Sequence, residues 1–568
     1  MLVLLCGAML TAVATWPLVL HLGSQVPASP WDPFAEAWAV AWDGHALTHD
    51  PLSLFDANAM WPLHDSLAFA DPLLGYAPFG MLGAGFRAAI IRYDGLFIFT
   101  GALAFAGAWA LARELGVSRI AALVGGAAFA FAPWRLAQAD HLNILSSGGI
   151  ALSLFLLLRG YRRRSVGTVL AGWIVVAWQV LIGFSLALPF LYLLVALALI
   201  SCLVRASRTR LRERRMVFAS VAGLAVVAVT TASMALPYFE KQHSYPESIR
   251  SITVAKFYSP PLSSLLTAPA HERIWGALTA GLRGHLAAPS EQSLFPGLVI
   301  VCLALLGLSW AGWPRRVRLG LAAAVVAITV FALGFRGPAG GIAYRLLYDL
   351  PGFSGIRTPG RLITFVTLAL ALLAAIGAQR VLHSVEARSC SRRAIMLTTL
   401  LLVGAIVAEG SGSLPRADVL SPPVTMASLP GPVFVLPSND LDDAEYMPWT
   451  AISFQPMVNG ISGFIPSEQT RFRTAASTFP APASIAWLEA HGVRTVVLDR
   501  YYSPADPSSL VAGYDPHNAV PNAQMIVAAR RAVPLGVTRK TSGRYTIYTL
   551  RATTDRPAAR PRRKDAGQ

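Results

Sequence analysis

Carboxylates beside aromatic residues are the groups in this sequence best suited to chemistry. Asp32 opens the stretch SPWDPFAEAWAVAWDGHAL, Ser29 to Leu47, directly after the first apolar segment. A carboxylate held there can act as a general base, binding and deprotonating an acceptor hydroxyl. It can also simply cap a helix, because Asp before Pro is a common helix start. Phe34, Trp38 and Trp42 recur every four residues and so share one side of a helix. A helix with such a stripe is expected at a membrane–water boundary, with Trp38 within reach of a lipid-linked substrate. Asp71, in SLAFADPLLGYAPF, lies in an apolar setting that raises a carboxyl pKa or demands a partner. It is either a second acid or another turn-forming Asp-Pro.

Further polar groups sit at the ends of apolar runs. Arg135 precedes AQADHLN, which holds Asp140, His141 and Asn143. Polar groups at membrane depth are costly, so these are either functional or mutually satisfied caps. LPGFSGIRTPGRL carries Arg357 and Arg361, whose guanidinium groups suit a phosphate; lipid-headgroup snorkelling is the alternative. Glu240, Lys241 and His243 form a similar cluster, read as substrate-binding. His64 and Asp65 are neighbours that suggest a metal only weakly, and no metal site is expected. The P-loop, the dinucleotide glycine fingerprint and the serine nucleophile elbow are absent.

The elements that position these groups are membrane helices. Of 568 residues, 54% are hydrophobic and 14% charged, against roughly 25% charged in soluble domains. Apolar runs occupy Met1–Leu20 and roughly 89–112, 119–135, 145–159, 165–180, 183–203, 216–236, 295–313, 318–335, 359–382 and 394–409. This predicts a polytopic α-helical membrane protein of about 11 spans. Met1–Leu20 lacks a basic n-region and reads as an uncleaved first span.

The net charge of +17 does not mark a nucleic-acid binder, because the arginines cluster in short turns between spans. These are Arg159, Arg162, Arg163 and Arg164; Arg205, Arg208, Arg210, Arg212, Arg214 and Arg215; Arg315, Arg316 and Arg318; and Arg388, Arg392 and Arg393. Such turns are cytoplasmic, whereas the acidic loop His21–Phe86 has no Lys or Arg before its end and is placed outside. The N-terminus is then inside, and loops 21–88, 237–294 and 336–358 and the chain after about residue 410 are outside. The Pro-rich loop 237–294 predicts helices along the membrane surface. The four cysteines, Cys6, Cys202, Cys302 and Cys390, show neither a disulfide framework nor metal spacing.

After Glu409 the composition changes. The expected organisation is a transmembrane domain over 1–409, a linker over 410–431, an extracytoplasmic α/β domain over 432–555 and a disordered basic tail over 556–568. Within the third, Val433–Pro437, Thr495–Leu498 and Tyr545–Leu550 read as strands. Ala483–His491 reads as a helix ended by Gly492.

With this layout, and in the pieces WDPFAEAWAVAWDGHAL, ANAMWPLHDSLAFAD, LPGFSGIRTPGRL and MVNGISGF, the sequence resembles the GT-C superfamily of polytopic glycosyltransferases, and in particular uncharacterised bacterial membrane proteins. The resemblance implies transfer of a sugar from a polyprenyl-phosphate-linked donor to a glycan, lipid or protein acceptor of the cell envelope. The setting would be the outer face of the bacterial cytoplasmic membrane. It implies that Asp32 takes the place of the first-loop catalytic acid, with no organic cofactor and a divalent cation in some members. Many members carry two adjacent acids in that loop; here Pro33 follows Asp32, and Asp71 is the distant second carboxylate. A flippase of lipid-linked glycans, or a non-catalytic envelope assembly protein, accounts for the same spans. The flippase predicts polar groups lining the membrane centre, which most spans here lack.

Overall fold

The computed structural model describes residues 1–203, 213–389, 391–501 and 522–552. Arg205, Arg208, Arg210, Arg212, Cys390 and the tail 556–568 lie outside the described residues. The chain forms two compact units. The first comprises Met1–Leu20, Gly95–Met234 and Arg250–Leu414; the second comprises His21–Asp94, Ala235–Ile249 and Pro415–Gln568.

A helix occupies each of the eleven apolar stretches, beginning with α1 (Leu2–Ala14). The acidic loop supplies α2 (Asp32–His49). Then follow α3 (Phe86–Leu115), α4 (Arg119–Ala130), α5 (Gly148–Arg163), α6 (Val166–Ile182), α7 (Phe184–Leu203) and α8 (Arg214–Ser244). The remaining four are α9 (Leu298–Ser309), α10 (Arg315–Ala332), α11 (Ile363–Ser389) and α12 (Arg392–Glu409). Ser118, Ser165 and Ser391 cap α4, α6 and α12, each accepting a backbone N–H three residues on. Among the described residues, five helical stretches are long and apolar enough to cross a membrane: Phe86–Leu115, Leu142–Arg163, Phe184–Leu203, Arg214–Ser244 and Pro359–Ser389. Leu2–Ala14, Arg119–Ala130, Val166–Ile182 and Leu298–Ser309 are apolar but shorter.

Within the first unit α11 is the central helix and packs against α4, α9, α10 and α12. Ala371, Ala374, Ala375 and Ile376 on it are fully buried. It meets α9 through glycines. A Cβ at Gly377 would overlap the carbonyl oxygen of Leu303, and one at Gly307 would overlap that of Leu373. Such contact between backbones is how apolar helices gain dispersion energy where water gives no driving force.

The second unit joins stretches far apart in sequence. Strand β1 (Gln25–Pro27) pairs antiparallel with β2 (Arg416–Asp418), with Val26 opposite Ala417. A four-stranded sheet holds β3 (Val433–Leu436), β4 (Thr495–Asp499), β5 (Thr538–Ser542) and β6 (Tyr545–Thr549) in the order β3-β4-β6-β5. The β3–β4 pair is parallel, and the other two pairs are antiparallel. Phe434, Val496 and Leu498 pack with Phe472, Ile485 and Leu488 of two helices, α13 (Ser467–Ala476) and α14 (Pro482–Ala490). Val433, Val435 and Val497 pack on the other face with Leu420, Met426, Tyr446 and Trp449. Both faces are covered, so these strands read as continuous apolar runs.

Candidate functional site

In the first unit the polar residues flanking the apolar helices converge on Glu291, which the sequence reading did not single out. The Arg361 guanidinium donates Nε to Oε2 at 3.1 Å and Nη2 to Oε1 at 2.5 Å. Gln138 Nε2 donates to Oε2 at 3.2 Å, and His141 Nε2 stands 3.9 Å from Oε1. Glu291 and Arg361 are only 5% and 8% exposed. Burial alone pushes the Glu291 carboxyl up. The opposing charges of Arg361 and His141, the Arg361 hydrogen bonds and the charge of Arg357 outweigh it and hold the pKa at about 2. Arg357 is half-buried, its guanidinium 5.4 Å from the ring centre of Tyr258. Arg135 is buried and satisfied by Ser147 Oγ and the Leu145 carbonyl, both at 2.9 Å, so it braces the turn between α4 and α5. This cluster is a buried cationic site whose charge is already partly met by a carboxylate, with Arg357 at its margin.

In the second unit Asp32 is half-buried in the first turn of α2. Trp31, not Asp32, occupies the N-cap position, and its side chain makes no cap bond. The alternative reading of Asp32 as the cap of α2 therefore does not describe this helix start. The aromatic stripe also departs from expectation. Phe34, Trp38 and Trp42 are 1%, 5% and 9% exposed. Trp38 Nε1 donates to Asn58 Oδ1 at 2.9 Å, and Trp42 Nε1 donates to the Leu54 carbonyl at 2.8 Å. The stripe faces the interior of its unit, because folded chain covers it where the sequence suggested lipid headgroups.

The Asp71 loop is anchored by the end of α8. Tyr238 Oη donates to the Ala70 carbonyl at 2.7 Å, and Lys241 Nζ to that of Ala68 at 3.0 Å. The His64 amide donates to Tyr245 Oη at 3.0 Å, in the same segment. Lys241, expected at a substrate, thus holds the backbone that leads into Asp71; Glu240, which precedes Lys241, and Asp71 are both half-buried. Ala28, Met60, Asp65 and Leu73, all within the acidic stretch His21–Phe86, have φ between 52° and 65°. Such left-handed non-glycine residues cluster where the surroundings over-determine the backbone, a common property of functional loops. Asp43, a turn beyond Trp38, is fully buried, and neither carboxylate oxygen has a partner among the described residues. Burial pushes its pKa well above the ordinary value.

The structure therefore brings Arg361 and His141 together, with Arg357 near, in one unit, whereas Asp32, Trp38, Asp71, Glu240 and Lys241 belong to the other. The residues missed were Glu291, Asn58 and Asp43. Only Glu291 had a local signal, as the acid of the outer stretch PSEQSLFPG. Among the described residues, no group of three or more His, Cys, Asp or Glu is placed to hold a metal ion.

Residues 30–406 match a family model described as Domain of unknown function (DUF6311). No curated protein matches the chain. Among solved structures, arabinofuranosyltransferase AftD from Mycobacteria is similar, with a TM-score of 0.53 at 16% identity. The match covers 96% of this chain, which spans 41% of that one. The oligosaccharyltransferase of Archaeoglobus fulgidus tethered with an acceptor peptide matches over 88% of this chain and 68% of its own, at 15% identity and a TM-score of 0.40. ArnT from Cupriavidus metallidurans bound to undecaprenyl phosphate matches over 97% and 98%, at 16% identity and a TM-score of 0.35. These neighbours are GT-C glycosyltransferases, and at such identities the likeness is one of fold. Of the three, the first has a TM-score above 0.5 and carries the likeness of fold.

Proposed function

The chain belongs to the family described as Domain of unknown function (DUF6311), and from its likeness of fold to a GT-C glycosyltransferase we propose that it is a glycosyltransferase of the bacterial cytoplasmic membrane. The donor is a sugar linked to polyprenyl phosphate, and the acceptor is a glycan, lipid or protein of the cell envelope. About eleven spans cross the membrane with the N-terminus inside. The acidic first loop and the chain after about residue 410 are extracytoplasmic. The observation that carries the reading is the likeness to an arabinofuranosyltransferase over 96% of this chain, in a chain that places a carboxylate, Asp32, at the start of the first helix after α1.

In this mechanism the Asp32 carboxylate takes the proton of the acceptor hydroxyl as its oxygen attacks the anomeric carbon. The bond from that carbon to the phosphate oxygen breaks, and polyprenyl phosphate leaves with its electron pair. Arg357, half-buried in the first unit, is the arginine suited to a phosphate. Arg361, already answered by Glu291, is not the primary phosphate grip. Asp71 is the second carboxylate, orienting the acceptor from a loop braced by Lys241. Trp38 supports the helix that carries Asp32.

The test is Asp32→Asn, which keeps size and removes basicity. Transfer from polyprenyl-phosphate sugars to an envelope extract should fall on the order of a hundredfold or more, with thermal stability near that of the parent. Full transfer by the variant would reject Asp32 as the base. No transfer by the parent from any donor, together with movement of lipid between leaflets, would replace the enzyme with a flippase.

A further inference from the structure

The first turn of α2 has an unusual partner. Trp31, the residue before Asp32, donates its indole N–H to Asp442 Oδ1 at 3.2 Å, across 411 residues of sequence. Asp442 is 2% exposed and is itself fixed. Asn439 Oδ1 accepts the Leu441 and Asp442 amides at 2.9 and 2.8 Å, and Asn439 Nδ2 donates to Asp442 Oδ2. From there the segment Asp442–Ile452 follows α2 along its length. Met447 joins the cluster of Trp38 and Trp42, and Ala451 packs with Ala41. Phe454 stacks on His45 with ring centres 4.1 Å apart.

The next residues do the same for the other half of the acidic loop. Met457 donates its amide to the Asn58 carbonyl at 2.8 Å and accepts from the Trp61 amide at 2.9 Å. The Met60 amide donates to the Asn459 carbonyl at 3.1 Å, and the Gly463 amide to that of Phe69, two residues before Asp71, at 3.1 Å. One buried side chain links the two stretches. Asn459 Nδ2 donates to Asp443 Oδ1 at 2.8 Å, and Asp443 is paired with Arg473 at 3.0 Å.

We infer that the segment Asp442–Gly463 is the positioning element of the acidic loop, and that Asp442, through Trp31, sets the placement of the Asp32 carboxylate. Asp442 is a positioning residue, acting through Trp31 and not on substrate. The inference rests on Asp32 as base in the proposed reaction. Its physical reason is that a helix end frays unless something holds it. The Trp31 side chain makes no cap bond to α2 and instead donates to Asp442, so this bond ties the start of the helix to a segment distant in sequence. A displacement of about 1 Å in a reacting group lowers a rate on the order of a hundredfold.

The test uses the full chain in lipid nanodiscs with three variants. Trp31→Phe removes the donor and Asp442→Leu the acceptor, whereas Asp442→Asn keeps an acceptor oxygen. Hydrogen exchange needs no ligand. Amides 34–36 should lose protection on the order of tenfold in Trp31→Phe and Asp442→Leu and keep it in Asp442→Asn, with the rest of α2 unchanged. With undecaprenyl-phosphate-linked pentose and hexose donors and an envelope extract, kcat should fall about 10- to 100-fold in the first two variants. KM should stay within about threefold, and Asp442→Asn should restore kcat. Unchanged exchange and kcat in Trp31→Phe, where Asp32→Asn is inactive, would overturn the positioning role and leave the proposed function standing. An inactive parent with the expected exchange pattern would do the reverse. General loss of protection in Asp442→Leu, with Trp31→Phe behaving as the parent, would make Asp442 merely structural and also overturn the inference.

Discussion

Replacing Glu291 by Gln should destabilise the first unit in a way that depends on pH. The Glu291 pKa is held at about 2 against an ordinary 4.5. At about 1.4 kcal/mol per pH unit this difference corresponds to about 3 kcal/mol of stability. Breaking one side of a buried ion pair costs about 3–5 kcal/mol by an independent route, because the remaining charge stays buried without its partner. The two agree because Arg361 is 8% exposed and cannot recover its hydration. A depressed pKa means that the contribution is fully present above about pH 4.5 and is lost as pH falls toward about 2. Unfolding of the parent, Glu291→Gln, Arg361→Met and the double variant should be followed in detergent at pH 7 and at pH 3. The single variants should each lose about 3 kcal/mol at pH 7. The double variant should lose less than their sum, since no charge is then stranded. The gap between parent and Glu291→Gln should narrow at pH 3. A loss below about 1 kcal/mol at pH 7, or an equal gap at both pH values, would refute the reasoning.

Arg357→Ala should weaken binding of a polyprenyl-phosphate analogue about 10- to 150-fold, the value of a charge-assisted phosphate contact of about 1.5–3 kcal/mol; equal binding, read by native mass spectrometry or calorimetry, would remove it from the phosphate site. Protease added to sealed spheroplasts should cleave within residues 415–552, and protection there until lysis would overturn the proposed topology. Gly377→Val should cost about 2 kcal/mol or more in thermal or denaturant unfolding, because its side chain would meet the Leu303 carbonyl; a neutral result would mean that α9 and α11 separate easily.

The sequence alone reached the parts of this protein that are decided locally. Runs such as Leu298–Ser309 and Ile363–Ser389 form helices because their own side chains are apolar and their backbone bonds close within the segment. Val433–Leu436, Thr495–Asp499 and Tyr545–Thr549 form strands where β-branched and aromatic residues concentrate, and Pro482–Ala490 is followed by Gly492 at φ 86°. The hairpin strand Thr538–Ser542 escaped notice because it is polar and mostly exposed. Asp32, His141 and Arg361 stood out as polar groups in apolar surroundings.

What covers an apolar face, or answers a charge, is a different kind of fact. The period of Phe34, Trp38 and Trp42 fixed that they share a side of α2, but lipid and folded chain satisfy that side equally. Only the tertiary structure turns it toward Asn58, Leu54 and Met447. Arg361 read as a free phosphate grip until Glu291, 70 residues away, supplied a carboxylate 2.5 Å from it. Strand β1 pairs with a strand nearly 400 residues later, and Trp31 with Asp442 across 411 residues. Such pairings repay loop closure only when the whole unit condenses, so no local pattern announces them.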